Sequence, residues 1–97
     1  MFRIEFTPEA VDDLRTMRQY DQRGVVTAVD SQLIHDADQE TRNRKRLRPN
    51  QLAQWELRVG EYRVFYDTDS QNSVVKIVAV GYKQGGKLFV HGQEYEL

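Results

Sequence analysis

The chain has 97 residues, enough for one domain around a single core and too few for two. It contains no cysteine, which excludes a disulfide framework, a thiolate metal site and a cysteine nucleophile. A net charge of −1 hides a strong asymmetry: residues 1–41 carry four basic and nine acidic side chains, whereas residues 42–91 carry ten basic and four acidic ones. An anionic ligand, either a polyanion or an acidic protein segment, is therefore expected on the second part.

The opening Met-Phe-Arg-Ile-Glu-Phe lacks the basic-then-apolar layout of a signal peptide, and no run has the apolar length of a membrane span. A cytoplasmic protein without a membrane partner is expected. Phe2, Ile4 and Phe6 alternate with polar residues and predict a first strand. Thr7 then offers an N-cap, Pro8 suits the first helical position, and Glu9 favours the positive end of the helix dipole. Val11, Leu14 and Met17 continue at helical spacing to an expected end near Tyr20. A second helix is expected from about Gln22 to Ala37, with Val25, Val26, Val29, Leu33 and Ile34 on one face. His35 lies near Asp36 and Asp38 at the end of that segment, but no second ligand stands at metal-binding spacing, so neither a metal nor a cofactor is expected.

Arg42 to Arg48 is the densest charge in the chain, with five cations among seven residues. If the segment is extended, Arg44, Arg46 and Arg48 project to one side while Lys45 and Leu47 project to the other, which suits a basic edge strand anchored by Leu47. Arg42, Arg44, Lys45, Arg46 and Arg48, together with Lys87 in the later basic segment, are expected to meet a nucleic acid or an acidic partner. Such residues contact phosphates without reading sequence.

Trp55 to Asp67 carries two alternating runs around Gly60-Glu61, the pattern of a hairpin with a type II′ turn. That turn pairs Val59 with Tyr62, Arg58 with Arg63, Leu57 with Val64, and Trp55 with Tyr66. One face is apolar; the other carries Glu56, Arg58, Arg63 and Phe65. Two arginines directly opposite each other repel, so Glu56 or an external anion is expected to compensate. Val74 to Gly81 is short, β-branched and nearly continuous, as in a central strand buried on both sides. A basic segment with Gly85-Gly86 follows, then a strand from Leu88 to His91, and a last stretch, Glu94 to Leu97, that reads as either a short strand or an acidic tail. The order predicts a single α+β domain over residues 1–97: an N-terminal strand, a helical hairpin, and an antiparallel sheet with the helices on one face and the other face open. Ile4, Phe6, Val11, Leu14, Val29, Leu33, Leu57, Val64, Ile77 and Val78 are the expected core.

This order, the Leu-Arg-Val-Gly-Glu-Tyr-Arg-Val-Phe-Tyr segment and the later Ile-Val-Ala-Val-Gly-Tyr-Lys together resemble the RelE/ParE superfamily of toxins from bacterial type II toxin-antitoxin pairs. The specific features are the arginine of Tyr62-Arg63-Val64-Phe65-Tyr66 and the basic Lys83 shortly after the Val-Gly of the central strand. The resemblance implies a RelE-like fold and a cognate antitoxin. In the RelE-like branch it implies a metal-independent endoribonuclease that enters the ribosome and cuts mRNA by attack of a 2′-hydroxyl on the adjacent phosphate. It assigns Arg63 to the phosphate, with Lys83 and Arg58 as further cations. Glu56, the carboxylate on the same hairpin face, is the base candidate, and His91 is the acid candidate on proximity in the predicted sheet. Two positions depart from that branch: Gln54 and Glu56 stand where some RelE-like nucleases carry lysines, and Phe89 stands near the place of a late tyrosine. These departures weaken the nuclease expectation without excluding cleavage, and leave room for a ParE-like inhibitor of DNA gyrase without hydrolytic activity; a non-catalytic binding module is the third reading.

Overall fold

Thr7 does begin a helix: its Oγ1 accepts a hydrogen bond from the Ala10 N–H at 3.1 Å, and Pro8 occupies the first turn. A computed structural model describes all of residues 1–97. Its elements are β1 (Arg3–Phe6), α1 (Pro8–Arg15), α2 (Gln19–Leu33), β2 (Arg44–Arg46), β3 (Trp55–Val59), β4 (Tyr62–Asp69), β5 (Val74–Gln84), β6 (Lys87–Val90) and β7 (Gln93–Tyr95). Both helices end earlier than their apolar spacing suggests, and α2 also begins earlier. The Thr16 hydroxyl donates to the Asp13 carbonyl at 2.7 Å and Gln22 Nε2 donates to the Leu14 carbonyl at 2.6 Å, so side chains take the bonds that would have continued α1. The chain leaves α2 after Leu33, and Ala37, fully buried, turns its carbonyl to the Tyr66 hydroxyl at 2.8 Å.

The sheet runs β2-β3-β4-β5-β6-β7 with antiparallel neighbours, and β1 joins β5 in parallel. The hairpin of β3 and β4 has the predicted register at every position, with Gly60 at φ 58°. Eleven-residue β5 is the axis of the fold. One of its edges pairs with β4 throughout; the other is shared by β1, over Val74 to Ile77, and β6, over Tyr82 to Gln84. Between those two partners the strand would present unpaired backbone, which is costly when buried. Side chains of the Thr7–α1 segment fill the gap: Thr7 Oγ1 donates to the Val78 carbonyl at 3.4 Å, and the Val80 N–H donates to Asp13 Oδ2 at 2.9 Å.

A register shift at Phe65/Tyr66 pairs Phe65 with Ala79 and Tyr66 with Ile77, so Ala79 and Ile77 face opposite sides despite their even spacing. The helix-side core contains Leu14, Val25, Val29, Leu33, Trp55, Leu57, Val64, Tyr66, Val75 and Ile77, with Ile4 and Phe6 packed at its margin. The opposite face is not wholly open. Ala53, Phe65, Ala79, Leu88 and Val90 form a second core there, with Val78, Leu47, Leu52 and Tyr95 around it. Val78 therefore belongs to the second core, because the bulge turns it away from the helices. The Leu47–Ala53 loop and the β6–β7 hairpin cover that end of the sheet, and the last segment is a strand.

Gly81 lies where β6 crosses closest to β5. A Cβ there would meet the Phe89 carbonyl oxygen at 2.5 Å and Val90 Cγ2 at 2.9 Å. Since the nearer atom is paired backbone, Gly81→Ala should destabilise the fold by about 1–3 kcal/mol, read as a lower urea midpoint at unchanged m-value.

Burial raises the Tyr66 phenol well above its ordinary pKa of 10.0, and Asp38 adds to the shift while Arg44 opposes it. Below pH 10 the phenol is protonated whether the chain is folded or not, and its contribution is complete. Above that, the unfolded chain releases the proton and the folded chain does not, so stability falls with rising pH, by about 1.4 kcal/mol per unit from this group. Tyr62, raised by burial and by its hydrogen bond to Asp21, acts in the same direction. The stability difference between wild type and Tyr66→Phe in urea titrations should accordingly shrink as pH rises above 10.

Candidate functional site

Alternation along β3, β4 and β5 sends Glu56, Arg58, Arg63 and Lys83 to the face away from the helices, and β2 adds Lys45 opposite Glu56. With Arg42 and Asn43 they line one depression of about 230 Å³ that has no apolar side chain. Five cations thus surround one carboxylate. Arg63 Nε sits 3.5 Å from Glu56 Oε1, and both side chains are largely buried. Arg63 Nη1 also donates to the carbonyls of Gly60 and Tyr62, each at 2.8 Å, while Nη2 keeps no internal acceptor. The arginine is pinned in place with one edge of its fork free. Glu56 therefore answers the repulsion between the facing arginines by pairing with Arg63. Arg58, Lys45, Lys83 and Arg42 have no internal carboxylate within ion-pairing distance, so their charge is available to an external anion.

One sequence expectation fails on geometry. His91 lies on the helix side of the sheet, in the turn between β6 and β7 at φ 53°, with Nδ1 2.9 Å from Asp13 Oδ1. The sheet separates it from Glu56 and Arg63, so the proximity that suggested it as the acid does not exist. Phe89 is on that same side, stacked on Tyr82 at 5.3 Å between ring centroids. A tyrosine at that position would not reach the basic depression either.

The Arg42–Arg48 block also divides. Arg44 is not a phosphate contact: it is 7% exposed, and its guanidinium donates to the carbonyls of Gln39 at 3.0 Å and Gln32 at 2.8 Å, and to Gln32 Oε1 at 3.0 Å. It ties β2 to the end of α2. Arg46 lies on the same side, with its guanidinium carbon 5.6 Å from the Trp55 ring centroid. Arg48 lines a separate hollow with Asn50 and Gln54, whereas Lys87, 3.9 Å from Glu94, lines a hollow that also takes in Lys45, Glu56 and Lys83. Only Arg42 and Lys45 of the block join the depression. Sequence reading missed Asn43, which lines it as well, and Asp13 of α1. Nothing local marks Asp13, because its partners are 67 and 78 residues away.

A mixed sheet with two helices packed on one face is the RelE-like fold, here with a cationic depression on the other face. A family profile for the ParE toxin of the parDE type II toxin-antitoxin system matches residues 4–84, and the chain belongs to that family. Among solved structures it is similar to a chain of the toxin-antitoxin complex RelBE2 from Mycobacterium tuberculosis, with 23% identity, a TM-score of 0.67, and coverage of 84% of this chain and 98% of that one. A chain of the archaeal RelE-RelB complex from Pyrococcus horikoshii OT3 gives 20% identity, a TM-score of 0.67, and coverage of 87% and 96%. At these identities the structural likeness concerns the fold. No curated protein matches the sequence at a significant level.

Proposed function

We propose that this toxin cleaves mRNA in the ribosome without a metal ion, using the depression around Glu56 as its active site, and that a cognate antitoxin silences it. The observation that carries this reading is the set of four unpaired cations, Arg42, Lys45, Arg58 and Lys83, around a carboxylate held by Arg63. Attack of a 2′-hydroxyl on the adjacent phosphate needs a base, positive charge at the pentacoordinate phosphorus, and a proton for the departing 5′ oxygen. Glu56 takes the 2′ proton. Arg58 and the free Nη2 of Arg63 hold the phosphate oxygens, for which the planar guanidinium fork is suited. Lys83 and Lys45 are the lysines that line this depression, and Lys83 supplies the leaving-group proton. Arg63 both orients Glu56 and contacts the phosphate, so Arg63→Lys should not be a neutral change.

Primer extension on translated mRNA after induction should show new 5′ ends at codon-defined positions, lost in Glu56→Gln. The second reading, inhibition of DNA gyrase without hydrolysis, is favoured by the ParE family match and by the absence of histidine from the depression around Glu56. Intact mRNA in growth-arrested cells, together with inhibited supercoiling by purified gyrase, would replace the nuclease reading with that one.

A further inference from the structure

A second concave surface lies on the helix side of the sheet, and its charge has the opposite sign. Between α1 and the ends of β4, β5 and β6, a groove of about 550 Å³ has Met17, Tyr62, Tyr82 and Phe89 as its floor, with buried Val80 beneath them. A further hollow of about 390 Å³ continues it and shares Thr16, Met17, Tyr62 and Tyr82. Tyr82 is 41% exposed, unusual for a ring at the middle of an apolar floor. The rim carries Glu9, Asp12, Asp13, Asp21 and Glu61 against two permanent cations, Arg18 and Lys83.

Several of these acids are already occupied. Asp13 holds His91 and the Val80 N–H, and Asp21 holds Arg18 and the Tyr62 hydroxyl. Glu9 has no internal cation, and Asp12 has only Arg15 at 3.6 Å, with both of those side chains about three-quarters exposed. The groove therefore combines aromatic faces with free carboxylates at one edge, which suits the aliphatic stem and charged head of an arginine or lysine. It repels a phosphate backbone. Lys83 borders both this groove and the basic depression, so one extended chain can pass around the ends of β4 and β5 from one surface to the other.

We infer that the groove is the docking site for an apolar segment of the antitoxin bearing arginine or lysine, separate from the acidic segment that neutralises the basic depression. The inference rests on the toxin reading and adds a bipartite charge pattern to its partner: acidic where it covers Arg58 and Lys83, basic where it crosses Tyr82 and Glu9. Neither surface alone accounts for the binding.

The test uses the full-length toxin and the small protein encoded beside it, with affinity measured by calorimetry at low and high salt. Glu9→Lys with Asp12→Lys should weaken the complex by about tenfold or more at low salt, and by less at high salt, as expected for rim charges at an interface. The neutral pair Glu9→Gln with Asp12→Asn should fall between that and wild type. The same charge change on the far surface, Asp30→Lys with Glu40→Lys, should leave affinity unchanged. Thermal melts establish that each variant folds, and mRNA cleavage by the free toxin should be unaltered in all of them. Wild-type affinity in the Glu9 and Asp12 variants overturns the groove assignment while leaving the toxin reading intact. A concentration-dependent dimer of the toxin alone, lost in those variants, overturns it in favour of a second copy of this chain. Failure of the wild-type toxin to bind its neighbour overturns the toxin reading and the inference with it.

Discussion

Alanine at both Arg58 and Lys83 should abolish growth inhibition and reduce the appearance of cleaved mRNA by about 10³-fold or more, because a positioned donor to a developing anion is typically worth about 10²–10³. The same variant should be no less stable than wild type. Arg58 stands directly opposite Arg63, neither Arg58 nor Lys83 has a carboxylate partner, and both are exposed. Removing Arg58 relieves a cross-strand repulsion of about a few tenths of a kcal/mol. Glu56 then keeps Arg63 to itself. Loss of activity without loss of stability separates a site cation from a structural one, and Arg44 supplies the contrast: its alanine variant should lose stability first, since it leaves the Gln32 and Gln39 carbonyls without their donor. Single variants extend the argument. Arg58→Lys keeps the charge and loses the fork, so it should retain part of the activity, whereas Lys83→Arg keeps charge but cannot release a proton at neutral pH and should slow cleavage if Lys83 serves the leaving group. The readouts are growth curves, primer extension and urea unfolding of the same proteins. Full cleavage by the double variant would remove the nuclease site from this face.

What was legible in the sequence was whatever short-range pattern controls. Gly60 accepts the positive φ that starts the turn, and from that one position the β3–β4 register and the shared face of Glu56, Arg58 and Arg63 follow. The helix start at Thr7 and Pro8 was legible for the same reason. The limits of the two helices were not, because Thr16 and Gln22 end α1 through side-chain bonds that compete with an otherwise continuous apolar stripe. The Phe65/Tyr66 register shift was hidden as well: Val74 to Gly81 is apolar almost throughout, so no alternation reveals where the bulge falls.

The same distinction governs the site. Alternation found Glu56, Arg58 and Arg63 on the basic face and the family resemblance added Lys83, but charge density misplaced Arg44, which looks on paper like its neighbours and is in fact the buried tie between β2 and α2. His91 was assigned to the wrong side because a two-residue turn at His91-Gly92 ends β6 and turns the ring towards α1. A residue at a turn has no face that period-2 reading can give it.

Asp13→Ala should be among the most damaging substitutions in the chain, costing about 2–4 kcal/mol, whereas Asp13→Asn should cost about 1 kcal/mol or less. The carboxylate is only 10% exposed and performs two tasks. Oδ2 accepts from the Val80 N–H in the stretch of β5 that neither β1 nor β6 reaches, and Oδ1 meets His91 Nδ1, fixing the β6–β7 turn against α1. Alanine leaves a backbone donor unpaired beside the core and frees a turn whose first residue already holds a positive φ without being glycine. Asparagine can satisfy both partners: its amide oxygen accepts from Val80, and its amide nitrogen donates to neutral His91 with the ring proton moved to Nε2. Hydrogen exchange locates the damage. In Asp13→Ala the amides of Val80 to Tyr82 and of β6 should exchange faster than those of β3, since the lost bonds lie on the β6 side of β5 while the β3–β4 hairpin keeps its own ladder. Because the basic depression is built from that hairpin and from Lys83 at the far end of β5, the alanine variant should lose Lys83 placement before it loses the Glu56–Arg63 pair. Residual binding to a short RNA would then fall in proportion to the opened fraction, as measured by exchange, and Asp13→Asn should bind as wild type does.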